Sequence, residues 1–212
     1  MSARNRPAAK AARRAERTAV AGRHKARIAE AVHAAVCEVT GSDGFGHCAL
    51  YARVGAAVAS VVTGEEYVVN AGRMQAGTGT PDPQDGAELY LGMDPALSGY
   101  SGREFHAWIL RRPPGAATGA LLQADPDSIE VADLSMRHYR AMAEAIGLPW
   151  QREALPPWYW GPLTGLRDLR VNLSADAEMT TMLLREQPLG PVKTAVQLAL
   201  RQLGRLPEGI AS

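Results

Sequence analysis

Three side chains in this sequence have the types and the chain order of a thiol acyl-transfer site. Cys48 follows a glycine-hinged turn, His106 lies in an apolar segment typical of a strand, and Asp133 ends a second such segment. In a site of this kind the cysteine is the nucleophile, the histidine takes or holds its proton, and the carboxylate orients the histidine. We therefore predict that Cys48, His106 and Asp133 are catalytic, provided that the fold brings them together.

The segment around Cys48 predicts the start of a helix. Apolar residues recur at helical spacing from Leu50 to Val62, and Gly64 stands where a left-handed C-terminal cap is expected. Unpaired backbone N–H groups at a helix N-terminus stabilise a thiolate and can also bind a developing oxyanion. The alternative is a structural cysteine, because buried thiols on apolar helices are common.

Strand alternation predicts the surroundings of the other two residues. It places His106 and Trp108 on one face of a strand, so that the indole shelters the imidazole. Asp133 shares its face with the apolar Val131, and a buried carboxylate requires a partner. An imidazole N–H would be such a partner; the alternative is that Asp133 caps a helix that starts at Ser135 or the next residue.

A metal site is a competing hypothesis. His33 and Cys37 are four residues apart on one predicted helix face, and His47 and Cys48 follow after a short turn. All four are zinc-ligand types. However, adjacent residues rarely both reach one ion, and Cys37 lies in the apolar register of its helix. We therefore expect no metal, and no cofactor, since the chain has no phosphate-binding or dinucleotide-binding glycine motif.

The chemistry-bearing residues belong to a predicted order of helices, then a sheet, then helices, which indicates one α+β domain. The predicted helices cover residues 8–39, 48–63 and 136–146, one that begins at Ser174, and 190–204; the predicted strands cover 67–72, 88–91, 104–110, 119–123 and 128–133. A long glycine-rich loop is predicted over 77–86.

Charge is distributed unevenly along the 212 residues. Nine Lys or Arg residues and a single acid, Glu16, lie within residues 1–27, which gives this segment a charge of about +8 and the remainder about −7. We predict that 1–27 is a basic, partly helical arm and that 28–212 is the domain. The arm has no aromatic residue to stack on bases, so nucleic acid is not an expected partner; if it binds at all, we expect it to bind this arm.

Composition also restricts the environment. Hydrophobic residues make up 46% of the chain, enough for a sizeable core, but no apolar run approaches the length of a membrane span. The N-terminus lacks the apolar centre of a secretory signal, and two cysteines do not form a disulfide framework. The expected location is the cytoplasm.

Three short motifs resemble those of a known enzyme superfamily: Gly46-His47-Cys48, His106-Ala107-Trp108, and the segment 131–135. Together they resemble the transglutaminase-like branch of the papain-like cysteine enzymes. The resemblance covers 44–135 and implies a cysteine-bearing helix packed on a central antiparallel sheet, with extra N-terminal and C-terminal helices. The segment 136–212 lies outside it and is expected to be a helical addition.

The resemblance implies a peptidase-like or deamidase-like hydrolase, or an acyltransferase, that acts on a peptide, protein or small amide. Trp108 and His47 are the expected substrate contacts, and the loop over 77–86 is expected to wall the cleft, where it could act as a lid. One departure concerns the oxyanion: papain-like enzymes often use a Gln shortly before the cysteine, and neither Gln nor Asn stands between Cys37 and Cys48. The backbone N–H of Cys48, with a donor from elsewhere, is expected to replace it.

The alternative is a catalytically inactive fold that binds a partner. Trp158, Tyr159 and Trp160 would then be the anchors, unless these aromatic residues only cover the core.

Overall fold

A computed structural model describes residues 6–81, 88–93, 105–113, 115 and 125–206, and these form an α+β fold. The helices are α1 (Arg6–Thr40), α2 (Cys48–Thr63), α3 (Tyr139–Ala145), α4 (Ala177–Glu186) and α5 (Leu189–Gln202). The strands are β1 (Tyr67–Pro81), β2 (Glu88–Met93), β3 (His106–Arg111), β4 (Glu130–Asp133), β5 (Tyr159–Pro162) and β6 (Val171–Ala175). None of the described helices is both long enough and apolar enough to cross a membrane.

All described strand pairs are antiparallel and belong to one sheet. Its order is β2-β1-β3-β4-β5, and β6 also pairs with β1. The first half of β1 pairs with β3, and its second half pairs with both β2 and β6. The α+β class predicted from the element order is therefore confirmed.

The glycine-rich loop predicted over 77–86 is wrong in its first part. Residues 77–81 continue β1, where Gly77 pairs with Tyr90 and Pro81 with Glu88 across a register shift. Pairing satisfies the backbone groups of this glycine-rich stretch and offsets its entropic cost. The rest of the loop lies outside the described residues, as does the strand predicted over 119–123.

The prediction that 136–212 adds only helices is also wrong. This segment contributes β5 and β6 to the sheet, and Ser174, predicted to begin a helix, lies in β6. The helix begins at Ala177, with Asp176 as the N-cap whose side chain accepts a hydrogen bond from the Met179 N–H. Both strands are short, and the strands with which they pair are far away in sequence.

The sheet is covered on both faces, which explains why residues 107–110 of β3 are apolar. On one face α2 packs against alternate sheet residues such as Ala107 and Ile109, and α4 packs against β1, while α1 and α5 pack on α2. On the other face Trp108 and Val131 pack with α3 through Tyr139. The predicted alternation of β3 is therefore confirmed, and two separate apolar clusters fix the direction in which each site residue points.

The basic arm does not end cleanly at residue 27. The Lys25 ammonium lies 2.9 Å from a Glu130 carboxylate oxygen and 5.6 Å from the centre of the Trp160 ring. Tyr67 and Trp160 also donate hydrogen bonds to Glu130. Although burial alone would raise it, these three donors lower the pKa of Glu130. Lys25, which was counted among the charges of the basic arm, thus binds the helical turn before Ile28 to the domain.

Gly72 is expected to tolerate no side chain. It pairs with His106 on β3 and with Ala175 on β6, and a Cβ at this position would overlap the Ser174 carbonyl oxygen and lie 2.9 Å from the Asp176 nitrogen. Gly72→Ala should therefore lower the free energy of unfolding by about 1–3 kcal/mol in urea denaturation. Gly190→Ala is the control, because a Cβ there meets nothing within 4 Å; equal stability of the two variants would contradict the expected overlap.

Candidate active site

Cys48 is the first residue of α2, as predicted, and a glycine turn delivers it there. Gly44 and Gly46 have φ angles of +86° and +77°, and a Cβ on Gly44 would overlap the Tyr51 hydroxyl. The residue before the helix, His47, makes no side-chain cap. Helix geometry leaves the first N–H groups of α2 without an intrahelical partner, so the positive end of the helix lies at the cysteine.

His106 and Asp133 meet in the interior, on the face of the sheet that alternation predicted. The His106 Nε2 atom lies 2.8 Å from Asp133 Oδ2, and the two side chains are 1% and 0% exposed. Because Nε2 faces a carboxylate, it carries the hydrogen and donates it. The imidazole N–H expected as the partner of the buried Asp133 carboxylate is therefore present.

The second carboxylate oxygen of Asp133 is also occupied. Oδ1 accepts hydrogen bonds from the Ser135 backbone N–H and hydroxyl, both at 3.0 Å. Ser135 itself is the N-cap of the 3-10 turn Met136–His138, so the alternative of Asp133 as the N-cap is wrong. These bonds lock the carboxylate, so that only Oδ2 faces the imidazole.

The thiol lies beside this pair. The Cys48 Sγ atom is 3.7 Å from the carbonyl oxygen of Phe105, the residue that precedes His106, and Cys48 is half-buried. Nδ1 of His106 is buried and makes no hydrogen bond with the residues that the structure describes. The Cys48 sulfur is near enough to help raise the pKa of His106. The thiol is thus a neighbour of the imidazole, and contacts of this kind commonly tighten only when a substrate binds.

The electrostatics favour a charged pair. Burial alone would lower the pKa of His106, but the charge and hydrogen bond of Asp133, and then Cys48, outweigh it and raise that pKa. Burial alone would raise the pKa of Asp133, but His106, with Tyr139 and Ser135 as further donors, lowers it. Both shifts stabilise imidazolium next to carboxylate, which is the state that a thiolate nucleophile needs nearby.

The predicted substrate contacts divide. Trp108 stacks beside the His106 ring, with centroids 6.2 Å apart and planes 20° apart, but it is only 3% exposed. It shelters the imidazole as predicted, and this burial leaves it no surface for a substrate. His47 is exposed, and its contact with a substrate stays a prediction. The predicted loop wall is not formed by 77–79, where Gly79 instead packs against Arg152.

Sequence reasoning missed one member of the cluster, Tyr139. Its hydroxyl donates a hydrogen bond to Asp133 Oδ2 at 2.5 Å and lies 3.1 Å from His106 Nε2. In the predicted helix over 136–146, Tyr139 lies at helical spacing between Met136 and Met142, which is typical of an apolar core stripe. Its signal was the single hydroxyl in that stripe, close behind a buried aspartate.

The zinc hypothesis is not supported by the geometry. His33 and Cys37 do face each other, with Sγ 3.6 Å from Nδ1, but the same Nδ1 lies 2.5 Å from the Tyr51 hydroxyl. No three His, Cys, Asp or Glu side chains among the described residues are placed to hold a metal ion. His47 and Cys48 therefore do not complete a site with the α1 pair.

The three aromatic residues considered as partner anchors mostly contact other residues of this protein. Trp160 is buried and donates to Glu130, and Trp158 is half-buried against the core. The Tyr159 hydroxyl donates to the Pro162 carbonyl. These aromatics cover the core, which was the alternative interpretation.

Comparison with known proteins adds little to this geometry. No protein-family model matches the chain, and no curated protein matches it. One solved structure, described as "The crystal structure of genomics APC5867", superposes with a TM-score of 0.47 at 14% sequence identity, covering 82% of this chain and 75% of that one. The function of this protein is therefore inferred from the residues of the site.

Proposed function

We propose that this protein is a cysteine-nucleophile hydrolase or acyltransferase that acts on an amide bond through an acyl-enzyme. The observation that carries the proposal is the buried His106–Asp133 pair, whose imidazole has Cys48 as a neighbour and whose Nδ1 makes no hydrogen bond with the described residues. A buried histidine with one nitrogen held by a carboxylate and the other free is arranged as a general base. A purely structural histidine would more commonly satisfy both nitrogens.

The reaction follows from the positions of these atoms. His106 Nδ1 takes the proton of the Cys48 thiol or already holds it in an imidazolium–thiolate pair, and Sγ attacks the amide carbonyl carbon of the substrate. The oxyanion that develops is stabilised by N–H groups in the uncapped first turn of α2. The imidazolium then protonates the leaving nitrogen, the C–N bond breaks, and a thioester to Cys48 remains. Water or an amine attacks the thioester while His106 accepts its proton, which releases an acid or a new amide and restores the thiol.

The architecture supports the same proposal. A helix that begins at the candidate nucleophile packs on an antiparallel sheet whose strands carry the histidine and the aspartate. This arrangement is similar to the transglutaminase-like branch of the papain-like enzymes, and we propose membership of that branch. A peptide, a protein side-chain amide or a small amide would be the substrate.

Alkylation of the two cysteines tests the proposal. Burial raises the pKa of Cys37, whereas Cys48 has the N-terminus of α2 and His106 beside it. With iodoacetamide near neutral pH, Cys48 should react at least about 10-fold faster than Cys37, as measured by peptide mass spectrometry over time. Both cysteines are half-buried, so the ratio reports chemical environment more than exposure.

The same samples can be treated with p-nitrophenyl acetate, an activated acyl donor. An acetyl group is expected on Cys48 and not on Cys37, and Cys37→Ser should leave the acetylation rate unchanged. Equal, slow alkylation of both thiols, with no acetyl-enzyme, would contradict the proposed function.

A further inference from the structure

A tyrosine hydroxyl shares the carboxylate oxygen that holds the candidate base. Asp133 Oδ2 lies 2.8 Å from His106 Nε2 and 2.5 Å from the Tyr139 hydroxyl oxygen, and that hydroxyl is 3.1 Å from Nε2. The three polar atoms form a closed triangle. Neither the proposed chemistry nor the resemblance to a family assigns Tyr139 a role.

The triangle is sealed inside the protein, which makes its hydrogen bonds consequential. Tyr139 is 0% exposed, like Asp133, and charge-assisted bonds in such an environment are stronger than those in water. Burial, followed by the charge and hydrogen bond of Asp133, raises the pKa of Tyr139 well above its ordinary range. The hydroxyl therefore remains protonated, and a donor, at neutral pH and well above it.

The orientation of the Asp133 carboxylate is fixed, so His106 and Tyr139 both bind Oδ2. Its other oxygen, Oδ1, is held by the two Ser135 donors. The charge on Oδ2 is divided between the imidazolium and the phenol. A carboxylate oxygen that accepts a second strong hydrogen bond carries less charge toward its first partner, so it holds the imidazolium proton less tightly.

The ring of Tyr139 fixes the imidazole as well. It meets the His106 ring edge-on, with centroids 5.4 Å apart and planes 79° apart, while Trp108 stacks on the same imidazole at 20°. These two aromatic contacts of different orientation fix the plane of the imidazole ring and therefore the direction of Nδ1.

We propose that Tyr139 is a positioning residue of this site: it holds the imidazole of His106 in register and moderates the basicity that Asp133 gives it. A histidine paired only with a buried carboxylate would retain its proton too well to protonate a leaving nitrogen, because efficient acid–base catalysis needs a pKa near the working pH. Tyr139 reduces that retention. This inference depends on the proposed function.

Tyr139→Phe tests the inference, because it keeps the ring and removes only the hydroxyl. We expect the pKa of His106, followed by NMR of the ring protons, to rise by about half to one unit. We expect Cys48 of this variant still to react with iodoacetamide. The acetyl-enzyme formed with p-nitrophenyl acetate should be hydrolysed several-fold more slowly.

The matched control is Tyr67→Phe. Tyr67 is also a buried tyrosine whose hydroxyl donates to a carboxylate, Glu130, at 2.7 Å, but this pair lies away from the candidate site. It should lose similar stability and leave the pKa of His106 and the deacetylation rate unchanged. If Tyr139→Phe behaves like this control, Tyr139 is only structural and the inference is overturned.

A second substitution keeps the test decisive if the phenylalanine variant does not fold. 3,5-Difluorotyrosine at position 139 retains the ring and hydroxyl and donates more strongly, so the pKa of His106 should fall; no change, or a rise, overturns the inference. The two failures are distinguishable. Unreactive Cys48 in the unmodified protein contradicts the proposed function, whereas reactive Cys48 with an unshifted His106 contradicts only the role of Tyr139.

Discussion

Replacing His106 by alanine is expected to reduce acyl transfer from p-nitrophenyl acetate to Cys48 by about 10³-fold or more, the scale on which removal of one member of a catalytic triad acts. Without the imidazole the thiol loses the group that accepts its proton. Nitrophenolate leaves without being protonated, so the loss falls on the attack by Cys48. Stopped-flow measurement of nitrophenol release, with the acetylated peptide identified by mass spectrometry, gives the rate.

The defect should depend on pH in a predictable direction. At alkaline pH a thiolate forms without help, so alkylation of Cys48 in His106→Ala should approach the rate of the unmodified protein as pH rises. His24→Ala is the control, since His24 is an exposed histidine on α1. If Cys48 of His106→Ala is alkylated and acetylated at the normal rates near neutral pH, His106 is not the base.

Asp133→Asn is expected to cause the largest loss of stability. The substitution leaves His106 buried without its carboxylate, so the pKa of His106 should fall from its raised value to below its ordinary 6.5. Removing one member of a buried ion pair costs about 3–5 kcal/mol, and the amide retains part of the hydrogen bonding, so we expect a loss near the lower end. Urea denaturation and NMR of the His106 ring measure the two effects.

The pH dependence follows from the directions of the two shifts. The raised pKa of His106 contributes stability that is complete below 6.5 and is lost as pH rises through the folded-state value. The lowered pKa of Asp133 contributes stability that is present above 3.8 and is lost as pH falls through its folded-state value. The stability difference between the unmodified protein and Asp133→Asn should therefore be largest between pH 3.8 and pH 6.5 and should shrink toward alkaline pH.

Asp127→Asn is the matched control, because Asp127 is an exposed carboxylate that accepts a hydrogen bond from Thr164. It should change stability little and without this pH profile. A loss for Asp133→Asn that is the same at every pH would mean that His106 is neutral and that the pair is an ordinary hydrogen bond.

The local sequence signals at the site were strong enough to predict the strand faces of His106 and Asp133 and the limits of α2. Alternating polarity placed His106 beside Trp108, and the cost of burying a carboxylate indicated that Asp133 needed a donor. The glycines at 44 and 46, whose φ angles are positive, and the cap at Gly64 indicated where α2 begins and ends. Each of these signals is local, because backbone angles and strand alternation act over a few residues.

Long-range pairing was not predictable in the same way. The second half of β1, together with β5 and β6, became strands because neighbouring strands satisfy their backbone groups. The second half of β1 and β5 contain glycine and proline, which indicate loops, and β6 contains Ser174, which indicated the start of a helix. Lys25 was assigned to a solvated arm for a similar reason: its partners, Glu130 and Trp160, are distant in sequence.

By itself, the sequence determined the α+β class, the helix that begins at Cys48, and the strand faces that carry His106 and Asp133. Only the tertiary structure decided that the imidazole and carboxylate pair at 2.8 Å, that the hydroxyl of Tyr139 joins them, and that the α1 histidine and cysteine hold no metal site with His47 and Cys48. Periodicity is fixed by bonds along the chain, whereas the distance between side chains on different elements depends on how whole layers pack.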